Sequence, residues 1–149
     1  DLSPPGRFSR DLAAFDDGAV EVHWGTTQRF DGDAGCPMPG KCDALERGSQ
    51  LGGILIRRES ARRVGHFDEA LPLGEDVDFV LRLLETRPAL AVSENVAVFY
   101  RRHATNITRD ETAARKYLAR VYVAAAYRRK HGAPPVPEGL FVPLQRATQ

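Results

Sequence analysis

LGEDVDFVLRLL, which runs from Leu73 to Leu84, is the stretch around which the rest of the chain is organised. Apolar residues recur in it at helical spacing: Val77, Val80, Leu81 and Leu84, with Phe79 and Leu83 widening the stripe. Gly74 gives the segment a flexible start, and carboxylates in the turn that follows suit the positive end of a helix dipole. The pattern predicts a helix whose acidic first turn, with Glu75, Asp76 and Asp78, either begins an ordinary core helix or carries chemistry.

The composition indicates one globular domain. A chain of 149 residues is long enough to bury a core of its own. A formal net charge of +1 gives no reason, from bulk charge, to expect a nucleic-acid or membrane partner. The sequence contains neither a signal-peptide pattern nor an apolar run of membrane-spanning length. It begins with Asp1 rather than Met, and we expect it to continue a longer polypeptide.

Two cysteines, Cys36 and Cys42, lie in a long segment from Asp31 to Gly48 that is rich in Gly, Pro and Asp. Either a small disulfide or two free thiols is compatible with this spacing. No histidine lies near them, so the pair does not predict a zinc site. Two cysteines do not fix the redox compartment. We expect reduced thiols in a cytoplasmic protein, free or at the inner membrane face.

Upstream of this segment the pattern predicts a short helix and a strand. Ser9 is a candidate cap for a helix that reaches Phe15, with Leu12 on its apolar side. The residues from Ala19 to Trp24 alternate as in a half-buried strand, which we expect Gly25 to break before an extended course resumes from Thr26 to Phe30. In this strand His23 is predicted to lie on the surface.

Residues 50–57 read as a second strand, followed by a helix from Glu59 to Val64 that Gly65 ends. Gly52 and Gly53 at the start of this strand indicate either a bulge or the close approach of a ligand or another backbone. Leu90 to Tyr100 is predicted as a strand, or as two strands joined near Ser93–Asn95.

A long helix is predicted from Glu111 to Lys130, capped by Asp110 or Thr108. Its predicted apolar face is Ala114, Tyr117, Leu118, Val121, Tyr122 and Ala125. Its other face is basic: Arg115, Lys116, Arg120, Arg128, Arg129 and Lys130. We expect these cations to be solvated, with a binding patch as the alternative. A Pro-rich tail, residues 133–149, follows, and its apolar cluster around Leu140 either folds back or packs on a neighbour outside this chain.

Four stretches together resemble the second half of a family 2 glycosyltransferase with the GT-A fold. GGILIRRESARRVGHFDEAL at 52–71 resembles the strand, helix and FDE turn of that family, and LGEDVDFVLRLL resembles the ED motif at the start of its acceptor-side helix. VFYRRHATNIT at 98–108 resembles the segment after the last core strand. DLSPPGRFSRDLAAF at 1–15 resembles the residues that follow the metal-binding Asp motif. The order and spacing of the four stretches make the resemblance more specific than any one of them.

The resemblance implies an α/β fold, a partial GT-A (Rossmann-like) sheet with flanking helices. Residues 1–132 would be the C-terminal portion of the catalytic domain. The nucleotide-binding half would lie upstream of Asp1. The uncovered sheet edge is then a candidate site of self-association.

The resemblance also assigns roles to particular residues. Asp76 matches the catalytic base, and Glu75 would orient the loop or the acceptor. Gly52, Gly53, Asp78, Arg101 and Arg102 would contact substrate. Asp1 and His103 match the metal-side positions that hold Mg²⁺ or Mn²⁺. Without the resemblance, His103 reads as a polar residue at a strand end and the two arginines as solvated surface residues.

The function implied is inverting, metal-dependent transfer of a sugar from a nucleotide-sugar donor to a glycan, lipid or small-molecule acceptor. We expect activity only in the full-length protein. The alternative is a non-catalytic binding or structural module that holds a partner through its basic helix or its loop. A glycan hydrolase that uses Glu75 and Asp76 is disfavoured, because adjacent residues seldom place two carboxyls on opposite faces of one bond.

Overall fold

The computed structural model describes residues 1–31, 45–103, 106 and 110–140. Cys36 and Cys42, with residues 32–44 of the predicted segment, therefore lie outside the described residues, whereas the described ends of that segment include strand residues. The elements are helix α1 (Arg7–Leu12), strand β1 (Val22–Asp31), strand β2 (Leu45–Glu46), strand β3 (Ile54–Ile56), helix α2 (Arg58–Val64), helix α3 (Glu75–Glu85), strand β4 (Leu90–Arg102) and helix α4 (Glu111–Lys130). Single 3₁₀ turns follow α1 at Ala13–Phe15 and precede β3 at Leu51–Gly53.

Strand β1 is the centre of a four-stranded mixed sheet. β4 pairs with it in parallel from Val22↔Leu90 to Asp31↔Arg102. Since β4 occupies one edge of β1 throughout, the antiparallel strands β3 and β2 must both lie on the other edge, one after the other. On the outer edge of β4, Leu2 forms an antiparallel bridge with Phe99. The predicted α/β class is confirmed.

The sequence led us to expect that Gly25 would interrupt the first strand, but it does not. β1 continues through it for ten residues, and the pairing with β4 shifts register on both sides of Thr26. A Cβ on Gly25 would lie 2.6 Å from the Cβ of Ala97, so a glycine is needed opposite this residue of β4. Because the pairing of β1 with β4 shifts register here and then continues, β4 is one strand rather than two.

The core lies between the sheet and α3, as the apolar stripe of α3 predicts. Val80, Leu83 and Leu84 pack against the strand residues Val22 and Trp24. On its other side α3 contacts α4, where Leu81 packs with Leu71, Val121 and Ala125. Helix α3 is therefore covered on two sides, by the sheet and by α4.

Three local predictions were wrong at the N-terminal end. Ser9 does not cap α1, which begins after Gly6 in a left-handed conformation at φ 71°. Helix α1 buries Arg7 and Asp11, whereas Leu12, predicted to be on its apolar side, is exposed. His23, predicted on the surface, is buried because the sheet face that it occupies lies against these charged residues of α1.

Residues 50–57 form a strand only from Ile54 to Ile56, because Leu51–Gly53 is a 3₁₀ turn. The other helix predictions are confirmed: α2 ends before Gly65 at φ 86°, and α4 is capped by Asp110, whose Oδ1 accepts a hydrogen bond from the amide of Ala113 at 3.0 Å. Tyr122 lies outside the buried face of α4.

The tail after α4 returns to the core as far as it is described. Leu140 is buried in the cluster that contains Val22 and Trp24, and Val136 packs against both core clusters. The hydrophobic core therefore extends beyond residue 132. Within the described ranges, no helix has the length and apolar character needed to cross a membrane.

Candidate functional site

The first turn of α3 holds the Glu75–Asp76 pair. Gly74 precedes it at φ 83°, a left-handed conformation that disfavours any residue with a Cβ. A Cβ at this position would also touch Leu118 and Val121 of α4, each at 3.5 Å. The close packing of α4 against Gly74 therefore fixes where α3 begins and how its first carboxylates are presented.

Asp76 is half-buried, and its Oδ1 accepts a hydrogen bond from the amide of Val77 at 2.7 Å. Burial raises the pKa of this carboxyl above its ordinary value, the Val77 hydrogen bond opposes the rise, and the neighbouring charge of Glu75 adds to it. Glu75 itself is exposed. Asp76 thus combines partial access to solvent with a higher proton affinity, which is what a general base requires.

Asp78 was predicted to contact substrate, but the structure turns its carboxylate inward. Oδ2 accepts from Nε of Arg82 at 2.7 Å, and Oδ1 accepts from a terminal guanidinium nitrogen of Arg128 at 3.3 Å. Arg128 also donates from Nε to Glu85 at 2.7 Å. We therefore correct the interpretation of Asp78: its carboxylate is committed to one ion pair within α3, with Arg82, and to one that joins α3 to α4, with Arg128. The prediction that Arg128 is a solvated cation was wrong for the same reason.

A cavity of about 390 Å³ opens between the N-terminal segment and β3. Its lining residues are Asp1, Leu2, Ser3, Arg7, Phe8, Leu51, Gly52, Ile54, Leu55 and Val98. The structure therefore brings Asp1 and Gly52, predicted separately, to one cavity. Gly53 does not line it. A Cβ on Gly53 would meet Thr27 and the carbonyl of Gly25, so this residue packs against β1 instead.

Asp1 is anchored at the C-terminal end of β4, where its Oδ1 accepts a hydrogen bond from the amide of Arg101 at 3.0 Å. Arg101 is exposed, and Arg102 and His103 are partly buried. The amide of His103 donates to the side-chain carbonyl of Asn106 at 2.5 Å, and the amide of Asn106 donates back to the carbonyl of His103 at 3.2 Å. Asn106 therefore shapes the turn that presents His103.

Asp1 and His103 were predicted to hold a divalent cation, and their donor types suit one. A carboxylate oxygen and an imidazole nitrogen are both accepted by Mn²⁺, and Mg²⁺ prefers oxygen. Among the described residues, no three or more His, Cys, Asp and Glu side chains gather closely enough to bind a metal ion. The metal site at Asp1 and His103 therefore stays a prediction.

The structure groups Asp1 with Arg101 and holds Asp76 on a different element. Asp1 and Arg101 are in direct contact at the C-terminal end of β4, where β1 also finishes. Asp76 stands in the first turn of α3, and the apolar residues of α3 pack against Val22 and Trp24 at the start of β1.

The sequence reading missed a buried charge cluster beside the cavity. Nε of Arg7 donates to Oδ2 of Asp11 at 3.1 Å, and its guanidinium also reaches Oγ of Ser3 at 3.4 Å. Asp11 in turn accepts from Nε of Arg10 at 2.9 Å. The spacing of four residues between Arg7 and Asp11 indicates a helical ion pair, but only the tertiary fold shows that it is buried and that Arg7 lines the cavity.

No family model matches this sequence, and comparisons with curated proteins and with solved structures found no significant match.

Proposed function

We propose that this chain is the acceptor-side part of an inverting glycosyltransferase similar to family 2 of the GT-A fold. The observation that supports this best is Asp76, a half-buried carboxyl with a raised pKa in the Glu75–Asp76 pair that opens α3. The sequence resemblance assigns the base to this position, and the physical environment of Asp76 is the one that such a base needs.

In the proposed reaction, Asp76 accepts the proton of an acceptor hydroxyl. The hydroxyl oxygen attacks the anomeric carbon of the donor sugar as the bond from that carbon to the nucleoside diphosphate breaks. The bonding electrons leave with the diphosphate, and attack from the opposite face inverts the configuration. Glu75, exposed next to Asp76, orients the acceptor and, through its charge, favours the protonated form of Asp76.

The cavity lined by Asp1, Arg7 and Gly52 is the proposed donor side. Arg7 and Arg101 bring positive charge toward a diphosphate, and Gly52 leaves room beside Val98. Arg102 extends this basic end of β4. Asp1 and His103 would hold Mg²⁺ or Mn²⁺, which would offset the negative charge that develops on the leaving diphosphate.

The main alternative is a binding module without catalysis. The exposed basic and apolar surface of α4 favours this alternative, because a surface of that kind suits a partner rather than solvent. Under either alternative, we propose that the protein is located at the inner face of a membrane. The two alternatives differ in whether Asp76 is needed for turnover.

The test uses the full polypeptide that contains this chain and measures release of nucleoside diphosphate from a panel of nucleotide sugars. We expect Asp76→Asn to lower turnover by about a hundredfold or more, since a general base contributes about that much. Donor affinity should change little, because the base acts on the acceptor hydroxyl.

Glu59→Gln is the matched control, because Glu59 is likewise a carboxylate in the first turn of a helix but is exposed and lies outside the proposed site. It should leave turnover unchanged. Wild-type turnover in Asp76→Asn would contradict the assignment, and a nucleotide-sugar panel without any turnover in the wild type would favour the binding module.

A further inference from the structure

Helix α4 exposes apolar side chains on the face that points away from the core. Its inner face packs Val121 and Ala125 against α3. On the outer side, Tyr122 is 55% exposed, Val123 is 69% exposed and Tyr127 is 65% exposed. These three large side chains fall within six residues of one helix, which concentrates exposed apolar area that the fold leaves uncovered.

After Glu111, the charge on this helix has one sign. From Thr112 to Lys130 the sequence contains no Asp or Glu, and it contains six Arg and Lys residues. Arg128 is bound to Asp78 and Glu85 of α3. The other five basic residues of the helix are exposed: Arg115, Lys116, Arg120, Arg129 and Lys130.

Apolar and basic residues share one stripe along the helix. Lys116, Arg120, Val123, Tyr127 and Lys130 follow each other at alternating steps of four and three residues. At 3.6 residues per turn, this spacing aligns them along one side of the helix. The small residues Ala119 and Ala126 lie between them on the same exposed side. The stripe therefore has an apolar centre with cations toward both ends.

We propose that this stripe binds the surface of an anionic lipid bilayer, with α4 lying parallel to the membrane plane. Val123 and Tyr127 enter the headgroup region, and Lys116, Arg120 and Lys130 meet lipid phosphates. A lipid surface fits better than a protein partner, because two large apolar side chains are too few for the core of a stable protein interface, whereas charges of one sign suit an anionic surface. This inference stands apart from the catalytic proposal, because it uses no residue of that site.

The experiment measures sedimentation of the 149-residue chain with vesicles of phosphatidylcholine, with and without phosphatidylglycerol. We expect binding only to the vesicles that contain phosphatidylglycerol, and weaker binding as salt is raised. The double variant Arg120→Glu with Lys130→Glu should bind about twentyfold or more weakly, since each cation near the surface contributes about fivefold. Val123→Ser should weaken binding several-fold without changing its salt dependence.

The matched control reverses two exposed cations of α2, in Arg58→Glu with Arg62→Glu. It makes the same change in net charge and should keep nearly wild-type binding. Circular dichroism and thermal unfolding would confirm that each variant is folded. Equal losses in the α2 and α4 variants, or equal binding to neutral vesicles, would overturn the proposal. A last outcome would also overturn the proposal: the chain binds no vesicles, and light scattering shows a dimer that is lost in Val123→Ser. A second copy of the chain would then cover the stripe.

Discussion

At the scale of single residues, His23 shows how an alternating strand pattern is overridden. The pattern places it opposite Val22 and Trp24, on the side expected to face solvent. The charged face of α1 covers that side instead, so His23 is only 6% exposed. Its Nδ1 finds no hydrogen-bond partner among the described residues, and Oδ2 of Asp11 lies 3.9 Å from it. A buried imidazole whose Nδ1 has no hydrogen-bond partner resists protonation.

This environment predicts a stability that depends on pH. Burial lowers the pKa of His23, the Asp11 charge opposes this, and Arg10 and Arg7 add to the lowering. Below about pH 6.5, the ordinary value for histidine, the unfolded chain binds a proton that the folded chain resists. The contribution of His23 to the free energy of unfolding should therefore be fully present above that pH, and it should be lost as the pH drops toward the lower folded-state pKa.

Urea unfolding from about pH 7.5 to about pH 5 measures this effect. The difference between the wild type and His23→Gln isolates the contribution of His23 from that of Asp76. The exposed His66, changed to Gln, serves as the control and should keep the wild-type slope. The same slope in all three proteins would show that His23 does not sense pH.

At the scale of elements, α3 divides its carboxylates between two tasks. Asp76 stays near the surface at the start of the helix, and Asp78 turns inward to Arg82 and Arg128. Glu85 takes the second donor of Arg128 at the other end of the helix. These contacts join α3 to α4, whose packing against Gly74 fixes the start of α3. The proposed catalytic turn therefore depends on an ion-pair network that has no part in the proposed chemistry.

Asp78→Asn and Asp76→Asn should separate these two tasks. Asp78→Asn should lower the free energy of unfolding by about 1–3 kcal/mol, because it leaves Arg128 and Arg82 without their shared charged acceptor. Asp76→Asn should leave stability at neutral pH unchanged or higher. The pKa of Asp76 is raised on folding, so its ionised form costs stability above the unfolded value. Chemical denaturation of both variants at neutral pH is the measurement, and a larger loss in Asp76→Asn would reverse the assignment.

At the scale of the whole molecule, the segment after α4 completes the main core. Leu140 lies in the same cluster as Val22, Trp24 and Leu83, although more than fifty residues separate it from the nearest of them. Val136 bridges that cluster and the one between α3 and α4. The Pro-rich segment therefore contributes to folding as far as residue 140.

Leu140→Ala should lower the free energy of unfolding by about 2–4 kcal/mol, the usual cost of truncating a buried leucine. Leu12→Ala is the control, because Leu12 is 54% exposed and should lose little. A chain that stops after residue 132 should lose at least as much stability as Leu140→Ala. If that shortened chain unfolded at the wild-type denaturant concentration, the tail would not belong to the core.

The sequence by itself determined helices α2, α3 and α4 and their ends. The apolar stripe of α3, the Asp110 cap of α4 and the glycine that ends α2 act between residues a few positions apart, so the local pattern contains the information needed to predict them. The sequence also grouped Glu75 with Asp76 at a helix start. It likewise singled out Asp1 and Gly52, although their grouping at one cavity had to come from the fold.

Only the tertiary structure decided which side chains are buried, paired or exposed, because these outcomes depend on residues far apart along the chain. Strand β1 runs through Gly25, where Ala97 of β4 lies against it. Arg128 is an ion-pair partner rather than a solvated cation because α4 packs on α3. Tyr122 falls outside the buried face of α4 for the same reason: the angle at which two helices meet sets which side of each is covered. Periodicity shows that a helix has an apolar side, but its neighbours in space determine which residues are covered.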